Sequence, residues 1–482
     1  MDELQQMNRR HFLGTSAFAG TWSLLAPRAS AQGANSEIRV AVIGLNQRGM
    51  AHVSGILEAK GARLVALCDC DSKVLARAKE SAEKKGAKVS TYTDYRKLCE
   101  SKDIDAITIA TPNHTHALIA ITSAANGKHV YVEKPVSHNV WEGRMLADAQ
   151  AKYGVIIQHG FQRRSETSWA EAFEWIRGGE LGKLKLARGL CYKPRPSIGK
   201  VAAPVKPPAE VDYDLWCGPR EMAGVRRQKF HYDWHWQFPY GNGDLGNQGP
   251  HQLDVCRWAL GDPQMLPPAV VSCGDRYAHD DDGDWANTQL VLLRYDPAPI
   301  IFEVRGLPKK DVDYKTGMDS LRGRQVGNII EYEGGSLTGD HAGNCAVFDP
   351  GGKELKSFKG TRSHLQTWVD SVHSKKQDPM LSAESGHLSS ALAHIGNISW
   401  QLGETAALDE VRSSFDHPAA IEALERMEAH LAANGVDVVK KGMRLGPVLE
   451  REREGERFTG NQAEKANVLL KGSYRKGFEI PT

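Results

Sequence analysis

The eight cysteines include no Cys-x-x-Cys pair, so the usual signature of a zinc ribbon or thioredoxin-like redox centre is missing. Cys68 and Cys70 flank an aspartate at a strand end and the others are scattered, which reads as small buried apolar residues. Neither charge is in excess. Lys and Arg number 61 against 59 Asp and Glu, so no basic stripe offers itself to nucleic acid. A metal pattern is lacking as well. His231-x3-His235 could share one helical face, but no third ligand stands at a diagnostic spacing, and no metal is expected. What remains is an ordinary globular composition over 482 residues, too long for one core and suited to two domains with appendages.

The N-terminus reads as an address rather than as structure. Asn8-Arg9-Arg10-His11-Phe12-Leu13 holds two adjacent arginines, and Ala29-Ser30-Ala31 supplies a small-x-small cleavage pattern before Gln32. The apolar run between them, Phe12 to Leu25, is shorter than the ~20 residues of a bilayer span and contains Gly14, Gly20 and Thr21, so no stable membrane span is expected. Residues 1–31 are therefore read as a twin-arginine signal peptide, against the alternative of a chance Arg-Arg in a loose tail. The reading makes the twin-arginine (Tat) export machinery a partner and the mature protein periplasmic or otherwise exported. That route carries folded proteins, so a cofactor would be loaded in the cytoplasm and travel tightly bound.

From Ile38 the pattern alternates strand and helix up to about residue 160. Apolar strands are expected at 38–43, 63–68, 105–110, 129–133 and 155–160, with helices at 48–59, 115–126 and 140–152 between them. A further cycle through Tyr92 is less distinct. Such alternation predicts a doubly wound parallel sheet, here a Rossmann domain over residues 36–160. Gly44-Leu45-Asn46-Gln47-Arg48-Gly49 follows the first strand and opens a helix, where backbone N–H groups can face a pyrophosphate. Gly44 allows the tight turn and Gly49 the close helix–strand approach. The middle glycine of the fingerprint is replaced by Asn46, which tolerates left-handed backbone but must turn its side chain away from the phosphates. Asp69, at the end of the second strand, would hydrogen-bond the adenosine ribose and repel a 2′-phosphate, favouring NAD. Arg48 is the feature that could accommodate NADP instead.

Three more segments fall in order along the chain. Thr111-Pro112-Asn113-His114-Thr115-His116 follows one strand, and Glu133-Lys134-Pro135 ends the next. Gly243-Asp244-Leu245-Gly246-Asn247-Gln248-Gly249-Pro250-His251-Gln252-Leu253-Asp254 lies in the second half. With the glycine turn, they make this chain resemble the glucose–fructose oxidoreductase, inositol dehydrogenase and MocA (Gfo/Idh/MocA) family over about residues 37–400. The resemblance implies a Rossmann domain followed by a C-terminal α/β domain, residues 161–410, with a large open, mostly antiparallel sheet. It implies NAD(P)-dependent chemistry on sugars, polyols or their derivatives, and a homodimer or homotetramer.

Lys134 sits where a strand meets the carboxyl edge of a sheet, and desolvation there would lower its pKa until it can accept a hydroxyl proton. The plain alternative is a snorkelling surface lysine. Glu133 is read as orienting the site or holding the nicotinamide ribose. Thr111, Pro112 and Asn113 are expected at the nicotinamide half of the cofactor, and His116 there or as a simple cap. The resemblance implies that Gln162 and Arg163 lie near nicotinamide and substrate, although Arg163-Arg164 also reads as a solvated pair. His251 is the second catalytic candidate, or else a capping or core histidine. Family members pair this histidine with an aspartate four residues earlier, where this chain has Asn247. An amide can bond a hydroxyl but cannot take its proton, so Lys134 and His251 would act alone or with Asp244 or Asp254. Residues 231–238 are dense in aromatics; Trp234 and His235 are candidates to meet a sugar, or to pack in a core or interface. Tyr192, heading the proline-rich stretch Tyr192–Pro196, is a further substrate candidate.

Residues 198–212 read as an extended loop, and 361–376, 383–402 and 418–433 as helices. His387, Ser390, His394 and Asn397 recur at helical spacing, consistent with packing on the first domain. The extension 411–482 is charged and could form an arm clasping a neighbouring subunit. Two reactions are compatible with all this. One is reversible oxidation of a sugar or polyol hydroxyl. The other is NAD-dependent glycoside hydrolysis or elimination, in which a ring hydroxyl is oxidised transiently and the tightly bound cofactor is recycled. A binder that has only kept the fold is the third reading, supported by Asn247 alone.

Overall fold

The computed structural model describes residues 37–340, 343–452 and 454–481. The export signal expected at residues 1–31 lies outside the described residues. No helix among the described residues is long and apolar enough to cross a membrane.

The first lobe is a six-stranded sheet in the order β3-β2-β1-β4-β5-β6, with every pair parallel. Its strands are β1 Ile38–Ile43, β2 Ala62–Cys68, β3 Ser90–Tyr92, β4 Ala106–Ile109, β5 His129–Val132 and β6 Ile157–His159. The strands are apolar without alternation because helices cover both faces, as parallel sheets require. The helices are α1 Arg48–Glu58, α2 Ser72–Lys84, α3 Tyr95–Glu100, α4 Asn113–Ala125 and α5 Val140–Tyr153. Local chemistry sets their ends. Asp71 caps α2 by accepting from the Lys73 and Val74 amides, and Gly154 ends α5 in left-handed backbone. The chain order reverses between β1 and β4, so a crevice opens above their carboxyl ends.

The second lobe is a twelve-stranded sheet. Its strands are β7 Leu184–Tyr192, β8 Ala269–Asp275, β9 Thr288–Leu293, β10 Ile300–Arg305, β11 Val326–Tyr332, β12 Gly335–Asp340, β13 Cys345–Phe348, β14 Glu354–Phe358, β15 Glu404–Ala406, β16 Met443–Leu445, β17 Leu449–Arg451 and β18 Phe458–Thr459. The main path runs β14-β13-β12-β11-β7-β10-β9-β8-β16-β15, with β17 joined to β8 and β18. Among the described residues only β7 and β10 pair in parallel; the other pairs are antiparallel. Helices α6 Thr167–Arg177, α7 Tyr213–Cys217, α8 Gly243–Asn247, α9 Gly249–Ala259, α10 His364–Ser374 and α11 Ala383–Gln401 follow in the chain. One face of the sheet packs on α6, α9 and α11 through Phe302, Leu253, Val291 and Leu392. Helix α11 is buried almost throughout because its other side packs on α5 of the first lobe. Ser390 there accepts from the Val136 amide, so the spacing seen in sequence is the seam between lobes.

The C-terminal residues do not form a free arm. Helices α12 Leu408–Ser414 and α13 Pro418–Ala433 cover part of the sheet's other face, packing Leu424, Met427 and Leu431 on Leu186, Leu290 and Ile301. Further on, Phe478 and Ile480 enter the core of the first lobe beside Leu98, Cys99 and Leu118. The amphipathic spacing of α13 was visible in sequence, but not that its partner is the chain's own sheet. All eight cysteines are free thiols, and all but Cys70 are buried.

Candidate active site

A groove of about 730 Å³ begins at the glycine turn and runs into the second lobe. Gly44 has φ +81°, and a Cβ there would lie 2.8 Å from the Ala110 and Thr111 backbone. At Gly49 a Cβ would come within 1.8 Å of the Gly44 carbonyl oxygen. Asn46, Gln47 and Arg48 line the groove, and no side chain caps the N-terminus of α1. The uncapped amides and the positive end of the helix suit a pyrophosphate. Asn46 turns its Oδ1 outward to Arg77 at 3.1 Å, leaving the turn clear. These features fit a dinucleotide.

Asp69 stands at the adenosine end. Its Oδ2 accepts from the Leu45 amide at 2.8 Å and its Oδ1 from the Asp71 amide at 2.9 Å. Burial raises its pKa, and those two donors oppose the rise. A segment of the second lobe crosses over this end. His231 Nε2 lies 3.0 Å from Asp71 Oδ2, the Ser72 amide donates to the Glu210 carbonyl, and the Asp212 amide donates to the Cys70 carbonyl. Lys73 pairs with Glu210 at 2.9 Å. Leu215, Trp216, Phe230 and His231 from this strap complete the groove wall. Sequence offered no signal for it, because its partners lie well over a hundred residues apart.

Lys134 lies midway. The strand β5 ends at Val132, Glu133 follows, and the Lys134–Pro135 peptide is cis. Lys134 Nζ donates to the Asn247 carbonyl oxygen at 2.7 Å, with Asn247 Oδ1 at 3.5 Å. Burial lowers its pKa to about 8; Glu133 opposes the fall, and the Arg48 and Lys193 cations reinforce it. Glu133 is itself buried, and burial alone would raise its pKa. Arg48 Nε at 2.7 Å and His52 Nε2 at 3.1 Å overcome that and hold the carboxyl well below its usual range. Arg48 is thereby tied to Glu133. Gln162 Nε2 donates to the same Glu133 oxygen and to the Tyr131 hydroxyl, each at 3.1 Å. It thus stands behind Glu133 and not in the groove wall.

The segment before α4 forms the facing wall. Thr111, Pro112 and Asn113 line the groove, and Asn113 Nδ2 donates to Asn242 Oδ1 at 3.1 Å. His116 is more than a cap. Its ring nitrogens stand 2.7 Å from the Pro135 and Thr111 carbonyl oxygens, tying the Thr-Pro-Asn loop to the turn that carries Lys134.

The second lobe closes the far end. Asn247 and Gln248 line the groove where α8 passes into α9. Trp234 and His235 line it too, with their rings stacked at 3.7 Å between centroids. Burial pushes the His235 pKa down to about 4, and its Nδ1 lies 2.5 Å from the Tyr232 carbonyl. His231 and His235 both line the groove but have different partners, Asp71 for the first and the Tyr232 carbonyl for the second. Among the described residues no group of three His, Cys, Asp or Glu is arranged to hold a metal.

Besides Gln162, three expected residues stand outside the groove wall. Tyr192 points to the opposite face of β7, where it is 1% exposed and donates to Glu303 Oε2 at 2.6 Å. The pleat reverses at each residue, so it is the next one, Lys193, that turns into the groove. Arg163 is buried against Glu166 in a short 3₁₀ turn and lines no part of the groove. Its neighbour Arg164 is not solvated either; it is fully buried, forked onto Asp254 and Asp262. That pairing commits Asp254 to structure. His251 is half-buried in the first turn of α9, edge-on to Phe161 at 6.3 Å between centroids, and is absent from the groove wall. Asp244 forms a two-point ion pair with Arg195 at 2.7 and 2.8 Å, which sequence reasoning missed across 49 residues.

Comparison with known proteins agrees with this geometry. Residues 38–161 match the family described as "Oxidoreductase family, NAD-binding Rossmann fold", and residues 186–325 its C-terminal alpha/beta domain. The scyllo-inositol 2-dehydrogenase (NAD(+)) of Bacillus subtilis is 35% identical over 148 residues, 30% of this chain and 42% of that enzyme. The levoglucosan dehydrogenase of Pseudarthrobacter phenanthrenivorans is 29% identical over 185 residues, 38% of this chain and 40% of the relative. The chain thus spans less than half the length of these relatives. A solved levoglucosan dehydrogenase, in complex with NADH and levoglucosan, shares the fold at a TM-score of 0.56 and 18% identity, covering 74% of this chain and 95% of its own. With both halves matched in order over more than half its length, this chain belongs to the Gfo/Idh/MocA oxidoreductase family.

Proposed function

We propose that the protein is an NAD-dependent oxidoreductase acting on a sugar, polyol or sugar derivative, with Lys134 as the acid–base group. One observation carries the reading. A lysine whose pKa is brought down to about 8 stands in the same groove as an uncapped helix N-terminus suited to pyrophosphate. NAD, when bound, supplies the hydride acceptor. Lys134 takes the proton of the substrate hydroxyl at Nζ, and returns it when a ketone is reduced. Glu133, held by Arg48, His52 and Gln162, fixes the turn that carries Lys134. Asn247 fixes the lysine through its backbone carbonyl and offers its amide to a substrate hydroxyl. Trp234 presents an apolar face to the C–H side of a sugar ring. Asp69 takes the adenosine ribose, and its charge disfavours a 2′-phosphate.

The strap over the adenosine end favours a second reading within the same chemistry. Contacts from Glu210, Asp212 and His231 hold this segment against Cys70, Asp71 and Ser72, where it would slow the release of a dinucleotide. A retained cofactor suits transient oxidation, elimination and return of the hydride, with no net redox change. Retention would also serve a protein exported folded, as the sequence of residues 1–31 suggests.

The test begins with the protein as purified. Bound NAD is sought by absorbance and mass, and the protein is then offered polyols, free sugars and glycosides, with and without added NAD. NADH accumulating with polyols or sugars supports the dehydrogenase; glycoside turnover without it supports the recycled cofactor. Absence of cofactor binding and of turnover overturns both.

A further inference from the structure

The charges along the groove are unbalanced toward one end. Five wall side chains are Lys or Arg and two are carboxylates. Both carboxylates are committed. Asp69 sits at the adenosine end under two backbone amides, and Glu133 is paired with Arg48. Around Lys134 the remaining polar groups of the wall are the amides of Asn247 and Gln248, the neutral ring of His235 and the side chains of Lys193 and Arg195. Asp244 lies just behind, but Arg195 takes both its oxygens. Among the described residues Lys193 has no carboxylate partner. Its Nζ donates to Gln248 Oε1 at 3.3 Å. Gln248 in turn donates to Gln252, so the whole patch is neutral or cationic.

The segment that carries Lys193 is firmly held. The Lys193 amide donates to the Arg305 carbonyl at 3.0 Å and the Arg195 amide to the Gly306 carbonyl at 2.9 Å. The Tyr314 hydroxyl donates to the Arg195 carbonyl at 2.7 Å. A half-buried ammonium in a concave wall, hydrogen-bonded only to a neutral amide, is placed to meet an anionic group of a ligand. An anion bound there would meet no unpaired carboxylate, since position 247 is an amide and Asp244 is held by Arg195.

Resting on the reading that this groove binds a sugar beside Lys134, we propose that Lys193, with the amide of Gln248, recognises a carboxylate on the substrate. The preferred substrates are then acidic sugars, such as uronic acids and their glycosides. A single ammonium flanked by neutral amides matches a monoanion. A phosphate ester would call for an Arg fork, and Arg195 is already spent on Asp244.

The experiment measures binding, so it does not depend on turnover. Cofactor-loaded protein is titrated calorimetrically with matched pairs, methyl glucuronide against methyl glucoside and methyl galacturonide against methyl galactoside, and with glucose 6-phosphate. At least one uronide should bind more tightly than its neutral partner, and more tightly than the phosphate. Raising ionic strength should narrow the gap. K193Q should reduce the uronide-to-neutral affinity ratio by about 10- to 100-fold, the worth of one charge-assisted hydrogen bond. K193R should keep most of it. Equal affinity within both pairs, binding of no uronide, a preference for the phosphate, or a ratio unchanged in K193Q would each overturn the assignment. Turnover of neutral sugars with no uronide preference would defeat this inference and leave the oxidoreductase standing; uronide binding that depends on Lys193 without any turnover would do the reverse.

Discussion

The ammonium of Lys134 is anchored by the main chain of Asn247, with 2.7 Å from Nζ to the carbonyl oxygen. A backbone acceptor is present whatever side chain occupies position 247. The lysine therefore keeps its place although the aspartate expected from the family resemblance is an amide here, and the two lobes meet at this lysine.

A lysine with a pKa of about 8 is a competent base only when neutral. Oxidation should therefore accelerate as pH rises through about 8 and then level off. Reduction needs the ammonium and should slow above the same value. Initial rates in both directions between pH 6 and 10 check this; a profile flat across that range removes Lys134 from the proton step.

Lys134→Met should lower turnover by about 10²- to 10⁴-fold, the usual contribution of a positioned acid or base. Cofactor affinity, read by fluorescence titration with NADH, should change far less. Equal losses in both would mean that the lysine binds rather than reacts.

Asn247→Asp places a carboxylate where Oδ1 now stands, 3.5 Å from Nζ. A negative neighbour favours the ammonium, so the limb near pH 8 should move upward by about 1 to 3 units. A downward movement or none would show that the side chain at 247 does not sense the lysine.

His231→Ala removes the side-chain tie between the strap and Asp71 at 3.0 Å. Cofactor loss on dialysis should become faster by about tenfold, in keeping with a hydrogen bond to a charged group. Asp69→Ala should instead weaken NAD itself and narrow the preference over NADP, read as the ratio of the two dissociation constants.

Burial pushes the pKa of His114, His159 and His394 down to about 3 and that of His364 to about 4. Unfolded, each titrates near 6.5, so between those limits the unfolded chain binds more protons. Stability is complete above about pH 6.5 and falls as pH drops toward 3, by up to about 1.4 kcal/mol per pH unit for each histidine. Thermal melts at pH 7, 6, 5 and 4 should show a steepening loss; a constant melting temperature would contradict it.

The sequence was most readable where one local rule decides. The limits of β1 follow from its apolar run and the start of α1 from Gly44 and Gly49. Thr111–Asn113, Glu133 and Lys134 stand out because short motifs sit at strand ends. Side-chain direction in β7 was not readable. Its residues from Leu186 onward are buried on both faces, so no alternation told Tyr192 from Lys193. Gln162 and Arg163 fell on a 3₁₀ turn, where neither helical nor strand period applies. Charge pairs such as Arg195–Asp244 and Asp71–His231 join distant segments and leave no spacing to read.

Phe478 and Ile480 belong to the core of the first lobe, beside α3 and α4, although the sheet of that lobe ends at His159. Burying two such side chains is worth about 1.5–3 kcal/mol each. These two side chains are translated only after the whole second lobe, so the packing of the first lobe is complete only once the distal chain has folded back onto it.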